Sequence, residues 1–362
     1  MQQILTAIET ALEASPIQPP VPMPGDVWIL KSAMQKAIRF GEVDRALQAA
    51  AGFWRQDRVG FWRRFGAVIV FEDLGVGDVD AVMQVLAATC SAAWRKRMGD
   101  ERVALYLVRL LCLATKNRMM DALYILAERD PAYSQLRQRF AQADDETLIT
   151  YASDDTNNLI ERALACWYLA GTKKYPSDSI PPRVGSPQKL VELLHSLPVP
   201  EAMRAACVGV MNRTAWPLAV FFPLIWQEAF PPVGTAKFFV EQESLRPIPD
   251  VEGIPLYACD MFTRTGQASM RQLQKEVPSL RYYSIKQIGL TLFYLEGGRV
   301  DRRFTSESME AFCQQGEIID IETNGLDMPH YLHLRECLRE HLPVLDAIRT
   351  TRLQRMLEGA HA

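Results

Sequence analysis

Nothing in the 362-residue chain spells a nucleotide-hydrolysing or metal-holding motif. There is no G-x-x-x-x-G-K-[ST] run, so the loop that cradles phosphates in P-loop NTPases is missing. The seven cysteines, Cys90, Cys112, Cys166, Cys207, Cys259, Cys313 and Cys337, are scattered, odd in number and never spaced C-x-x-C. That excludes a zinc knuckle and a disulfide framework and fits reduced thiols. The five histidines form no H-E-x-x-H, and no Ser-His-Asp or Cys-His set can be defended. A formal net charge of −3 argues against a uniformly basic nucleic-acid binder, though not against a local basic patch. Long apolar runs are also lacking. The longest, Trp216 to Trp226, is about half a membrane span and holds Pro217 and Pro223. The opening MQQILTAIETALEASP carries acids and no basic segment, unlike a signal peptide. These absences predict a soluble, cytoplasmic protein with no membrane contact, no cofactor, no metal and no catalytic constellation.

What the chain does have is helical periodicity. Hydrophobic residues make up 48%, enough for a sizeable core. Residues 3–14 read as a short amphipathic helix, followed by five prolines in PIQPPVPMPG (16–25). Proline at that density favours an extended tether, with the first helix loosely joined or packed on the body as an arm. From Asp26 to about Arg139, apolar residues recur at three- and four-residue spacing, as in Leu30, Met34, Ala37 and Ile38. Gly41 separates two helices, Gly60 and Phe61 open a third, and Asp78 is a suitable N-cap for the next. Residues 140–215 continue helical, with Ser186-Pro187 opening a helix. Seven prolines between 216 and 256 predict an irregular connection. Helices resume at 265–277, 284–296, 305–313 and 330–356, and the 317–322 segment alternates briefly, open to a loop reading as well. The fold class expected is all-α, with segments 1–25, 26–139, 140–215 and 216–362.

One stretch goes further. Ser32-Ala33-Met34-Gln35-Lys36 lies in an opening helix, and Asp44-Arg45-Ala46-Leu47 in its partner. Arg63-Arg64 then lead to the turn Glu72-Asp73-Leu74-Gly75, and Asp78-Val79-Asp80-Ala81-Val82 open the next helix. Glu101 to Leu105 and Ala114-Thr115-Lys116-Asn117 complete the series. In order and spacing, residues 28–129 resemble the C-terminal collar region of the MgsA/RarA family of replication-associated recombination ATPases, relatives of clamp loaders. The resemblance covers under a third of the chain. It implies a helical collar that oligomerises and a place in DNA replication or fork repair. ATP-driven activity is not implied, since the P-loop is missing and fewer than thirty residues precede the collar.

Several clusters invite a chemical reading beside a structural one. Trp94 with Arg95, Lys96 and Arg97, followed by Lys116 and Arg118, can stack a base and neutralise phosphates, or simply end a solvated helix. Trp54 and Trp62, interleaved with Arg63 and Arg64, suit a self-assembly interface or a core face. Glu72 and Asp73 suit a metal or a partner arginine, or a local salt bridge to Arg63, Arg64 or Lys36. Asp260, Thr263 and Arg264 suit a phosphate or DNA site, or a structural Asp–Arg pair. His330, His333, Cys337 and His341 share a helical face, but a straight helix spreads them over about 16 Å, too far for one metal.

The function these features predict is a non-enzymatic factor in DNA replication, recombination or repair. It self-assembles and contacts DNA, a clamp loader, a single-strand-binding protein or a partner ATPase. Two alternatives stay open: a module that captures a partner ATPase, and a metal-dependent enzyme built in the C-terminal half.

Overall fold

Asp26 starts the body of the protein. Its carboxylate accepts hydrogen bonds from the amides of Trp28 and Ile29 at 2.8 and 3.0 Å, capping the helix Val27–Arg39. The next helix, Val43–Gln56, returns antiparallel against it, as the short link at Gly41 requires. The computed structural model describes residues 1–15, 17–213, 215–231 and 237–361. Helix accounts for 71% of the chain and strand for 4%, so the mainly helical expectation holds. The described residues include 19 α-helices. None of them is long and apolar enough to cross a membrane.

The N-terminal helix Gln2–Ala14 is the arm of the two alternatives. Leu5, Ile8 and Leu12 are buried, and Glu9 takes the Trp94 indole N–H at 2.6 Å. The proline-rich segment lies on the body too: Met23 is buried and its amide donates to the Gln48 carbonyl at 2.9 Å.

The fourth helix, Arg58–Arg64, is capped by Asp57 and runs straight into a ten-residue π-helix, Phe65–Leu74. Its sequence, FGAVIVFEDL, is apolar all round until Glu72, so every turn can be buried. A glycine turn ends it. Gly75 has φ +47, and a side chain on Gly77 would lie 2.7 Å from the Thr115 carbonyl. The Glu-Asp-Leu-Gly signature therefore marks a place where the 115–117 backbone passes too close for a Cβ.

Three expectations are corrected. The 216–256 connection contains a buried helix, Leu218–Ala229, with Pro223 inside it. An internal proline costs roughly 3 kcal/mol. Burying Phe221, Phe222, Leu224 and Ile225 returns about 1.5–3 kcal/mol each, which outweighs it. Two short ribbons add to the helices. Phe239–Gln242 pairs antiparallel with Arg302–Thr305, and Asp250–Val251 with Ile254–Pro255. The strand ends at Thr305, so the helix expected from 305 begins at Glu307, capped by Ser306. That helix runs to Thr323 and absorbs the alternating 317–322 segment. The long 330–356 helix is two, Met328–Glu340 and Leu342–His361, interrupted at His341.

Buried side chains from Leu5 to Leu357 form one continuous core, drawing on residues from all four expected segments. A second core, including Met270, Leu273, Leu280, Ile288, Tyr331, Leu334 and Leu345, organises the C-terminal helices. The Gly77 contact yields a direct test. Gly77→Ala forces a Cβ against backbone, and the expected loss is about 1–3 kcal/mol of unfolding free energy, read by urea denaturation.

Candidate nucleic-acid interface

The short helix Arg58–Arg64 has two faces. Phe61 and Trp62 turn inward, where Trp62 meets Trp54 edge-on with ring centroids 6.2 Å apart. Arg58, Val59 and Arg63 turn outward. Arg95, from the helix Ala92–Met98, lays its guanidinium over the Trp62 ring at 4.1 Å. It is fixed there by Asp100 at 2.7 Å and by the Ala88 and Thr89 carbonyls at 2.5 and 2.9 Å. Asn212 and Arg213, just past the helix Glu201–Val210, close the other side. The result is an open groove of about 420 Å3 lined by Arg58, Arg63, Arg95 and Arg213.

The charge in this groove is not balanced. Its single lining carboxylate, Asp100, is already paired to Arg95. Arg58, Arg63 and Arg213 are exposed and have no carboxylate partner among the described residues. Guanidinium groups held this way present fork-shaped donors to an anion, and phosphate oxygens match that geometry. Among the described residues that line it, the groove has no thiol, hydroxyl, imidazole or unpaired carboxylate to act as nucleophile or base.

The expected site residues scatter. Trp94 is buried against the N-terminal arm, so it offers no face to a base. Arg95 reaches the groove; Lys96 is exposed beside it in sequence, and Arg97 pairs with Glu9 at 2.7 Å. Lys116 is sealed in, bonded to Asp301 at 2.7 Å and the Cys112 carbonyl at 2.8 Å, which removes it from any nucleic-acid surface. Burial pushes its pKa down, and Asp301 opposes that shift. Arg118 is turned inward to Asp121 and the Gly298 carbonyl. Arg264 is exposed at the start of a distant helix, Arg264–Glu276. Of the assembly set, Trp54 and Trp62 are 3% and 6% exposed, so the chain itself covers them. Arg63 lines the groove, and Arg64 points to Gln35 at 2.5 Å and Glu72 at 3.8 Å. Sequence reasoning missed Arg213, whose only signal was its distance from any acid.

The other clusters are internal. Asp73 pairs with Arg39 at 2.5 Å and accepts from Gln35 at 2.9 Å. Burial raises the Glu72 pKa, opposed by Arg64. Asp260 pairs with Lys36 at 2.6 Å rather than with Arg264, and also accepts from Ser32 at 2.6 Å. Burial would raise its pKa, but Lys36, Ser32 and the Phe262 amide hold it below the ordinary value. Beside this pair lies a cavity of about 30 Å3, far below a substrate's volume. His330 contacts Asp327, Cys337 contacts Ser279 and His341, and no cluster of three metal-ligating side chains occurs among the described residues.

No family model, no curated protein and no solved structure matches this chain.

Two outcomes follow from the buried pair. Lys36→Met strands the Asp260 carboxylate, and the expected cost is about 3–5 kcal/mol by urea denaturation; adding Asp260→Leu recovers most of it. Asp260 and Glu296 both have depressed pKa values in the fold. Their stabilisation is complete above the unfolded carboxylate range, about pH 4, and drains away as pH falls through their folded values. Denaturation midpoints between pH 7 and pH 3 therefore drop steeply for the wild type and less for Asp260→Asn/Glu296→Gln.

Proposed function

We propose that the protein is a non-enzymatic factor in DNA replication, recombination or repair, a scaffold or adaptor that holds nucleic acid by its phosphates. The observation that carries this reading is the groove, where Arg58, Arg63 and Arg213 converge unpaired beside the anchored Arg95. Three exposed guanidiniums without counter-charges repel one another, and an anionic backbone relieves that repulsion while releasing its own counterions. Phosphate contacts of this kind fix position and carry no base code, as a scaffold needs. The likeness of residues 28–129 to a clamp-loader-type collar supports the DNA context. The same likeness supports self-association, with a clamp loader, a single-strand-binding protein or a partner ATPase as the protein contact.

Fluorescence anisotropy on labelled duplex and single-stranded oligonucleotides, through a salt series, tests the groove. The wild type is expected to bind at low salt with affinity falling as salt rises. Arg58→Ala/Arg63→Ala/Arg213→Ala is expected to lower the log–log salt slope by about three, with an unchanged melting temperature. A wild type that binds no oligonucleotide at about 50 mM salt, or a triple variant with the parental slope, overturns the reading.

A further inference from the structure

The helix Arg264–Glu276 is strongly two-faced. Gly266, Ser269, Met270 and Leu273 are buried on one side. On the opposite side Arg264, Arg271 and Lys275 are exposed, at spacings of seven and four residues that place them within about 40° of one line. The stripe runs about 17 Å along the helix axis. Its three cations have no carboxylate partner among the described residues. Arg271 donates only to Gln267 at 3.2 Å, and Glu276, the helix's one acid, takes the Gln272 amide at 2.8 Å.

An exposed ring stands at each end of the stripe. Phe262 precedes the helix and is 67% exposed; Tyr282 follows it and is 90% exposed. Tyr282 is held out by a rigid turn, Pro278–Tyr282. Leu280 and Tyr283 on either side of it are buried, and Gln274 donates to the Tyr283 carbonyl at 2.6 Å. Arg281 donates to the Lys275 carbonyl at 3.0 Å, which adds a fourth cation at this end. A tyrosine fixed in water beside cations has its face free for a flat partner. Cations track a phosphate backbone and the rings take bases, but only bases that are not already stacked in a duplex.

We infer that this face, from Phe262 to Tyr282, binds single-stranded nucleic acid, with phosphates along Arg264, Arg271 and Lys275 and a base on Tyr282. The inference rests on the proposed nucleic-acid function but uses residues separate from the groove. Anisotropy with oligothymidylate and oligouridylate of about twenty nucleotides, and with a duplex of equal length, tests it. Tyr282→Ala is expected to weaken binding of one or both single strands about tenfold and leave the duplex within about twofold, whereas Tyr282→Phe keeps the parental affinity. Loss confined to one of the two single strands assigns the face to DNA or to RNA. Arg264→Ala/Arg271→Ala/Lys275→Ala is expected to lower the single-strand salt slope by about two. Unchanged melting temperatures exclude misfolding. If both variants bind single strands as the wild type does while the groove variant loses binding, this inference falls and the groove reading stands. If the wild type binds duplex alone, the same holds. If it binds no nucleic acid, both fall.

Discussion

The Arg39–Asp73 pair is the constraint on which the rest of the structure depends. Both side chains are almost completely withdrawn from water, which costs several kcal/mol per ion in the absence of compensation. The compensation comes from different parts of the chain. Asp73 takes a second hydrogen bond from Gln35, and Arg39 donates to the Gly297 carbonyl at 2.5 Å. Phe293, at the start of the short π-helix Phe293–Gly297, takes the guanidiniums of both Arg39 and Arg118 over its ring. The N-terminal helices and the C-terminal helices thus meet on buried charge as well as on the apolar core they share. Around it Lys36 holds Asp260, Arg246 and Arg349 hold Glu296, and Arg129 with Tyr294 holds Asp320. A seam of this kind tolerates only one register, because a slipped pairing leaves a buried charge alone.

That internal matching sharpens the meaning of the cations left outside it. Most arginines in the core region find a carboxylate or a carbonyl. Among the described residues, Arg58, Arg63 and Arg213 of the groove and the cations of the 264–275 stripe find no carboxylate, although the chain carries a net charge of −3 and has acids to spare. Unpaired cations gathered on two surfaces of an acidic protein are a local arrangement that bulk composition conceals.

The sequence was legible where a physical signal is local. Helical periodicity between Leu30 and Ile38, the cap at Asp78 and the break at Gly41 are short-range features, and the structure reproduces them. Tertiary energy overrode local signals elsewhere. Pro223 argued against a helix that four large buried side chains then imposed. The ribbon between 239–242 and 302–305 joins residues some sixty apart, a pairing no window of sequence displays. The site divided the same way. Arg63 and Arg95 were visible as an aromatic–basic pattern, but Arg213 joins them only through the packing of the helix Glu201–Val210. Trp94 and Lys116 carried the residue types of a nucleic-acid surface, and burial against the arm and Asp301 withdrew them from it.

The contacts of the 301–304 segment carry a consequence for the order in which the protein is made. The Asp301 amide bonds the Arg39 carbonyl, the Lys116 amide bonds the Arg302 carbonyl, and the Asp301 carboxylate neutralises the buried Lys116 ammonium. A ribosome emits these groups about two hundred residues after the helices they complete. At some 5–20 residues per second, the nascent N-terminal half spends ten seconds or more with a lysine that has no counter-charge and a helix end that has no cap. Vectorial synthesis therefore separates the making of the N-terminal helices from their closure, and the last fifth of the chain sets the moment at which the first third becomes native.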